Sequence, residues 1–237
     1  MELSRPLSTI TPTLDGDVLA VLARQNSPFT TGALHRVLTR YSEEGIRKVL
    51  RRLTRQGIVH SDRVGNAYSY QLNRDHLAAE HIINLADLLS TFLARLSDRL
   101  EVWAVPPVYA AVFGSAARGS MTVDSDLDLL LVRPDDAPDE LWAAQVDQLV
   151  EDVTRWIGND ARSLQLTEAE LRANGREDPV LQDVLNHGLT VAGSRAWLDQ
   201  QLRKPQGVTC GPSRAPQPSG REGCAKPSSS SPHRASP

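Results

Sequence analysis

The sequence predicts two folded parts in series, a small helix-and-hairpin module followed by an α/β domain. Charge is the first observation behind this: residues 1–74 hold 11 Lys and Arg against 6 Asp and Glu, whereas residues 75–205 hold 11 against 22. The second is a change of hydrophobic period, from helical spacing before Pro106-Pro107 to alternating strand-like and helix-like segments after it. The third is an ordinary globular composition over 237 residues, 40% hydrophobic and 23% charged. No run approaches the ~18 apolar residues of a membrane-spanning helix. The opening MELSRPLSTITPTLDGD lacks the apolar core of a secretory leader, so the expected location is cytoplasmic, with no membrane partner.

Asp15 to Gln25 (DGDVLAVLARQ) spaces Val18, Leu19, Val21 and Leu22 as an amphipathic helix does, and Asn26, Ser27 and Pro28 stop it. A second short helix is expected over Gly32–Leu38. Ser42 caps a third, SEEGIRKVLRRLTRQG, whose Glu43 and Glu44 complement the positive end of the helix dipole and whose end is set by Gly57. Ile46, Val49, Leu50 and Leu53 form its inward stripe. Arg47, Arg51 and Arg55 recur every four residues on another face, flanked by Lys48 and Arg52. IVHSDRVGNAYSYQL then reads as two extended runs around Val64-Gly65-Asn66, a hairpin.

Three helices and a hairpin, the third helix basic, resemble a winged helix-turn-helix over residues 14–73. The resemblance implies DNA as a partner, with the third helix in the major groove and the hairpin against the backbone. It makes Arg47, Lys48, Arg51, Arg52 and Arg55 the candidate phosphate contacts. The alternative is a solvated basic face on a module used for protein contacts.

Residues 75–103 read as one long linking helix with Leu77, Ile82, Leu85, Leu88, Leu89, Phe92, Leu96 and Leu100 on its apolar face. A second stripe on it suits packing against another copy, a homodimer. His76 and His81 stand five apart, off the spacing that puts two metal ligands on one helix face. Strands are expected at 108–113, 127–132, 162–166 and 189–192, with helices at 139–157, 167–173 and 179–187, an α/β pattern. From Pro205 on, 18 of 33 residues are Pro, Ser or Gly, and the expectation for 205–237 is a disordered tail. Both cysteines, Cys210 and Cys224, fall in it and are assigned no chemistry.

The chemistry concentrates in AVFGSAARGSMTVDSDLDLLLV, residues 111–132. Side chains alternate along a strand, so Asp126 and Asp128 share a face, roughly 6–7 Å apart. Two such carboxylates repel unless a cation lies between them, and hard Mg²⁺ suits such a pair when it is shared with substrate phosphates. Gly114-Ser115 lets the backbone come close to a ligand, with N–H groups and a hydroxyl for phosphate oxygens. Arg118 adds positive charge, Gly119 relaxes the turn, and Asp124 reads as a turn residue.

Gly114-Ser115, Arg118-Gly119 and Ser125-Asp126-Leu127-Asp128-Leu129 together resemble the signature of the polymerase-beta-like nucleotidyltransferases, in particular the minimal ones. The resemblance covers about residues 105–195, and the domain is placed at 105–202. It implies a mixed sheet. It makes Asp126 and Asp128 the catalytic pair, binding two Mg²⁺ ions, and ATP or another nucleoside triphosphate the substrate. A hydroxyl would attack the α-phosphorus and pyrophosphate would leave. Gly114, Ser115, Arg118 and Ser125 become the nucleotide-binding residues. Relatives modify small molecules, or a tyrosine of a partner protein in toxin–antitoxin pairs, so the acceptor is a hydroxyl of one of those classes.

One departure stands out. The family supplies a third carboxylate from a later strand, and in ARSLQLTEAEL the expected position holds Gln165, which cannot take a proton. Asp160, in the preceding turn, is the nearest substitute, while Glu168 and Glu170 belong to the next helix. The alternative function is therefore a transcription regulator that senses nucleotide without turning it over.

Overall fold

The computed structural model describes residues 1–174 and 177–203. The expected tail and both cysteines lie outside the described residues. A 3₁₀ turn at Pro6–Thr9 leads into α1 (Leu14–Arg24), β1 (Phe29–Thr30), α2 (Thr31–Val37), α3 (Glu43–Arg55), β2 (Val59–Val64) and β3 (Ala67–Leu72). The strands form an antiparallel sheet in the order β1-β3-β2. Thr30 caps α2 by accepting from the Ala33 N–H, and Ser42 caps α3 by accepting from Gly45. Leu22, Leu34, Ile46, Leu50, Val59 and Leu72 close the core of this part.

The single linking helix expected over 75–103 is instead two, α4 (Ala79–Ala86) and α5 (Leu88–Glu101), divided at Asp87. At the break the Ala86 carbonyl accepts from the Arg24 guanidinium of α1, at 3.3 Å, rather than from the next helical turn. Residues 75–78 are turns, and Leu77, assigned to the apolar stripe, is 94% exposed.

The second part follows as β4 (Tyr109–Phe113), α6 (Gly114–Ala117), β5 (Leu127–Arg133), α7 (Asp139–Ile157), β6 (Ala161–Thr167), α8 (Glu168–Asn174), α9 (Pro179–His187), β7 (Leu189–Ala192) and α10 (Arg195–Arg203). Its sheet is mixed, in the order β6-β5-β4-β7, with β5 and β6 parallel and the other pairs antiparallel. On one face Val112, Leu127, Leu129 and Leu131 pack under α5 and α7 with Leu96, Trp142 and Leu149. On the other, Tyr109, Ala111, Leu130 and Val132 pack with Leu171, Leu181, Val184 and Leu198 of α8, α9 and α10. Beyond Asp128, β5 is buried on both faces, which explains the unbroken run of apolar residues from Leu129 to Val132.

Sequence reading begins the first part at residue 14, but the preceding segment is structural. Leu3 is buried in the core beneath α5 and α7, and Leu7 in the core of the first part. Between them Arg5 donates to both oxygens of Asp17 on α1, at 3.2 and 3.0 Å. Asp17 also accepts from Tyr41 at 2.5 Å and from Arg40. Burial works against ionisation of Asp17, but the hydrogen bonds from Arg5, Tyr41 and Arg40 outweigh it and hold the carboxyl below its ordinary range. Among the described residues no helix is long and apolar enough to cross a membrane.

Candidate active site

The strand β4 ends at Phe113 and the chain turns at once into the single turn of α6. Gly114 makes this turn at φ +69°, and a Cβ built there would stand 2.3 Å from Asp128 Oδ2. Only glycine satisfies both conditions. The register sets Phe113 opposite Asp128, so the Gly114-Ser115 turn lies directly against that carboxylate. The loop back to β5 is closed by the Ser115 carbonyl, which accepts from the Ser120 N–H at 3.0 Å.

Asp128 is the second residue of β5 and Asp126 immediately precedes the strand; both are half-buried. Burial pushes the Asp128 carboxyl up, and the Asp126 charge pushes it further; Arg162 and Arg118 oppose this, and Asp183 adds to it. Asp128 thus disfavours its own charge, a condition that a bound cation relieves. Two neighbouring carboxylates offer the hard oxygen donors that suit an ion such as Mg²⁺.

The loop before β5 is held from below by Asn159, a buried residue that sequence reading missed. Its side-chain amide donates to the carbonyls of Thr122, Val123 and Ser125, at 3.2, 3.1 and 2.9 Å. Ser125, expected at the nucleotide, has its hydroxyl engaged locally, accepting from the Thr122 N–H at 3.0 Å. It shapes the loop that presents Asp126.

Arg118 donates to Asp183 of α9 at 2.7 Å. Asp183 also meets His187 Nδ1 at 3.2 Å. Burial opposes ionisation of Asp183, but these hydrogen bonds hold its carboxyl below the ordinary range. Asp183 thus ties α9 to Arg118, just after the Gly114 turn. The sequence carried one trace of it, the Asp-to-His spacing of four on a helix, without a reason to place that helix beside the turn.

The expectation for Gln165 is corrected by the register of the parallel pair. Gln165 is aligned with Leu131, on the opposite face from the acids, where its carbonyl accepts from Trp142 Nε1 at 2.8 Å. The β6 residues on the acid face are Arg162, opposite Asp128, Leu164, opposite Leu130, and Leu166, opposite Val132. Asp160, the suggested substitute, is an exposed residue whose carbonyl accepts from the Leu127 N–H at 2.8 Å. Among the described residues no group of three or more His, Cys, Asp or Glu side chains is gathered for a metal.

The five cations of α3 do not act as one face. Arg47, Arg51 and Arg55 line a cavity of about 750 Å³ between α3 and the β2–β3 hairpin, together with Ser61, Tyr68 and Tyr70. Arg47 is already paired with Glu43 and Glu44, at 3.0 and 2.6 Å. Arg52 turns to the other side and pairs with Asp15 of α1. Lys48, Arg51 and Arg55 are exposed.

No curated protein matches the chain. A crystal structure of a toxin–antitoxin with AMP-PNP aligns at 16% identity and a TM-score of 0.35, covering 46% of this chain and 82% of that one. A mutant of the toxin–antitoxin MntA–HpeT aligns at 13% identity and a TM-score of 0.34, over the same shares. The segment that carries the Gly114-Ser115 turn, the acid pair and Asp183, residues 89–185, matches the family model of the nucleotidyltransferase domain.

Proposed function

We propose that residues 105–202 form a Mg²⁺-dependent nucleotidyltransferase that moves a nucleoside monophosphate, AMP from ATP, onto a hydroxyl of a protein or small-molecule acceptor. We further propose that residues 14–73 are a winged helix-turn-helix that holds the chain on DNA. The observation that carries the first reading is the seating of Asp128 against Gly114, 2.3 Å from where any side chain would begin. A glycine forced into that contact beside two neighbouring carboxylates serves a phosphate ligand and its cation better than it serves packing.

Asp126 and Asp128 would hold the cation, which when bound neutralises triphosphate charge and aligns the α-phosphorus for attack with pyrophosphate as leaving group. The Ser115 hydroxyl, next to Gly114, would take phosphate oxygens. Gly114 itself contributes by having no side chain, which leaves room for Asp128. Arg118 is held by Asp183 at the rim and adds positive charge there. Asn159 and Ser125 keep the loop before Asp126 in place.

Titration of the protein with a non-hydrolysable ATP analogue and Mg²⁺ tests the site. The Asp126→Asn/Asp128→Asn protein is expected to lose binding by at least tenfold, and unchanged affinity would remove the assignment. For the DNA module, Arg47→Glu/Arg51→Glu/Arg55→Glu is expected to abolish DNA binding and leave nucleotide binding intact. Each lost phosphate contact lowers the slope of log affinity against log salt by about 0.9. DNA affinity that survived with its salt slope unchanged would move the interface away from α3.

The sensing alternative has one observation in its favour. The acid-face positions of β6 hold Arg162, Leu164 and Leu166, so that strand offers no carboxylate to take the proton of an attacking hydroxyl.

A further inference from the structure

We propose that Arg162 is a built-in counter-ion that a divalent cation must displace from Asp126, and so sets how readily the site loads. The proposal rests on the reading of Asp126 and Asp128 as the metal pair. Three observations place Arg162 there. The parallel register sets it opposite Asp128, on the acid face. Its Nη2 lies 2.9 Å from Asp126 Oδ2. Its own side chain is 69% exposed while that of Asp126 is 33% exposed, so the guanidinium approaches from the solvent side and is free to leave by it.

A guanidinium has five donors and no lone pair to offer a metal, so it competes with a cation for the same carboxylate oxygens. The other cation nearby is committed elsewhere, since Arg118 is held by Asp183. The ion pair therefore neutralises Asp126 in the free protein and has to open when the ion binds. The displaced guanidinium stays on the β6 edge of the site, where triphosphate oxygens accept the forked geometry that the carboxylate offered. Arg162 is a positioning residue in this arrangement: it acts on metal occupancy through Asp126.

The test is Mn²⁺ binding to the full chain without nucleotide, read as free Mn²⁺ by electron paramagnetic resonance. Wild type, Arg162→Ala, Arg162→Lys and Asp126→Asn/Asp128→Asn proteins are compared. Arg162→Ala is expected to bind about three to five times tighter than wild type, the worth of one part-exposed ion pair released. Arg162→Lys, which keeps the charge, is expected to stay within twofold of wild type. Equal or weaker binding by Arg162→Ala, with binding lost in the double Asn protein, overturns the counter-ion role and leaves the metal pair standing. No Mn²⁺ bound by any of the four proteins, or the same binding in all, overturns the metal pair and the counter-ion role with it.

Discussion

Gly114→Ala is expected to abolish Mg²⁺-dependent nucleotide binding and to lower the melting temperature by about 3–6 °C. Two separate causes act. The left-handed backbone at φ +69° costs an alanine about 1–2 kcal/mol, which for a folded unit of this size corresponds to the stated shift. The new Cβ would lie 2.3 Å from Asp128 Oδ2. Asp128 can rotate away, so the clash adds little to the stability loss, but the rotation takes the carboxylate off the position that the site needs. The internal control is Gly32→Ala in α2, where nothing lies within 4 Å of the new methyl. That protein is expected to bind nucleotide normally and to melt no lower than wild type, since alanine favours a helix over glycine. Thermal melts and nucleotide titrations on the two variants check this. Full nucleotide binding by Gly114→Ala would mean that the contact with Asp128 is incidental.

Asp128→Asn is expected to do the opposite to stability while destroying metal binding. Burial first, and the charge of Asp126 second, raise the Asp128 carboxyl above its ordinary value. A folded-state value above the unfolded one means that the fold holds this proton more tightly than the open chain does. The group's contribution is most favourable below the ordinary carboxylate range and is lost as pH rises through the raised value. At neutral pH the fold carries a charge it disfavours, and asparagine removes it. Because the side chain is half-exposed and solvent screens it, the gain is small, about 1–2 °C. Melting curves are expected to separate at pH 7, variant above wild type, and to converge below about pH 4. Saturating Mg²⁺ should stabilise wild type and leave the variant unmoved. A variant that melts below wild type at pH 7 would show that Asp128 is a satisfied structural residue.

Local features of the sequence were sufficient where the chemistry is local. The cap at Ser42 can be read without a third dimension, because it depends on a neighbour three residues on. Three features could not. The break at Asp87 depends on Arg24, 62 residues upstream along the chain, capturing the Ala86 carbonyl, and the apolar spacing on either side of it continues as though nothing happened. The N-terminal segment carries only two apolar anchors, Leu3 and Leu7, too few to register as periodicity, yet both are buried in different cores.

The third is the position of the missing carboxylate. Alternation along β6 says that Gln165 and Arg162 face opposite ways, but only the pairing with β5 says which of them shares a face with Asp128. A register shift of one residue would exchange Arg162 and Leu164 for Ser163 and Gln165. Asp183 and Asn159 were hidden for a related reason. Each acts on the site across a fold-level contact, Asp183 from α9 through Arg118, Asn159 from the loop before β6 through three carbonyls.

The most direct measurement of the central claim is incubation of the full chain with Mg²⁺ and α-labelled nucleoside triphosphates in turn, with host lysate supplying acceptors. The Asp126→Asn/Asp128→Asn protein serves as the control. Label appearing covalently on an acceptor with ATP, and absent with the control, is the expected result, and it identifies the base and the acceptor class together. Nucleotide that is bound but never transferred under any of these conditions would contradict the transferase, and would leave a nucleotide sensor whose β6 strand offers Arg162 and Leu164 where a base is needed.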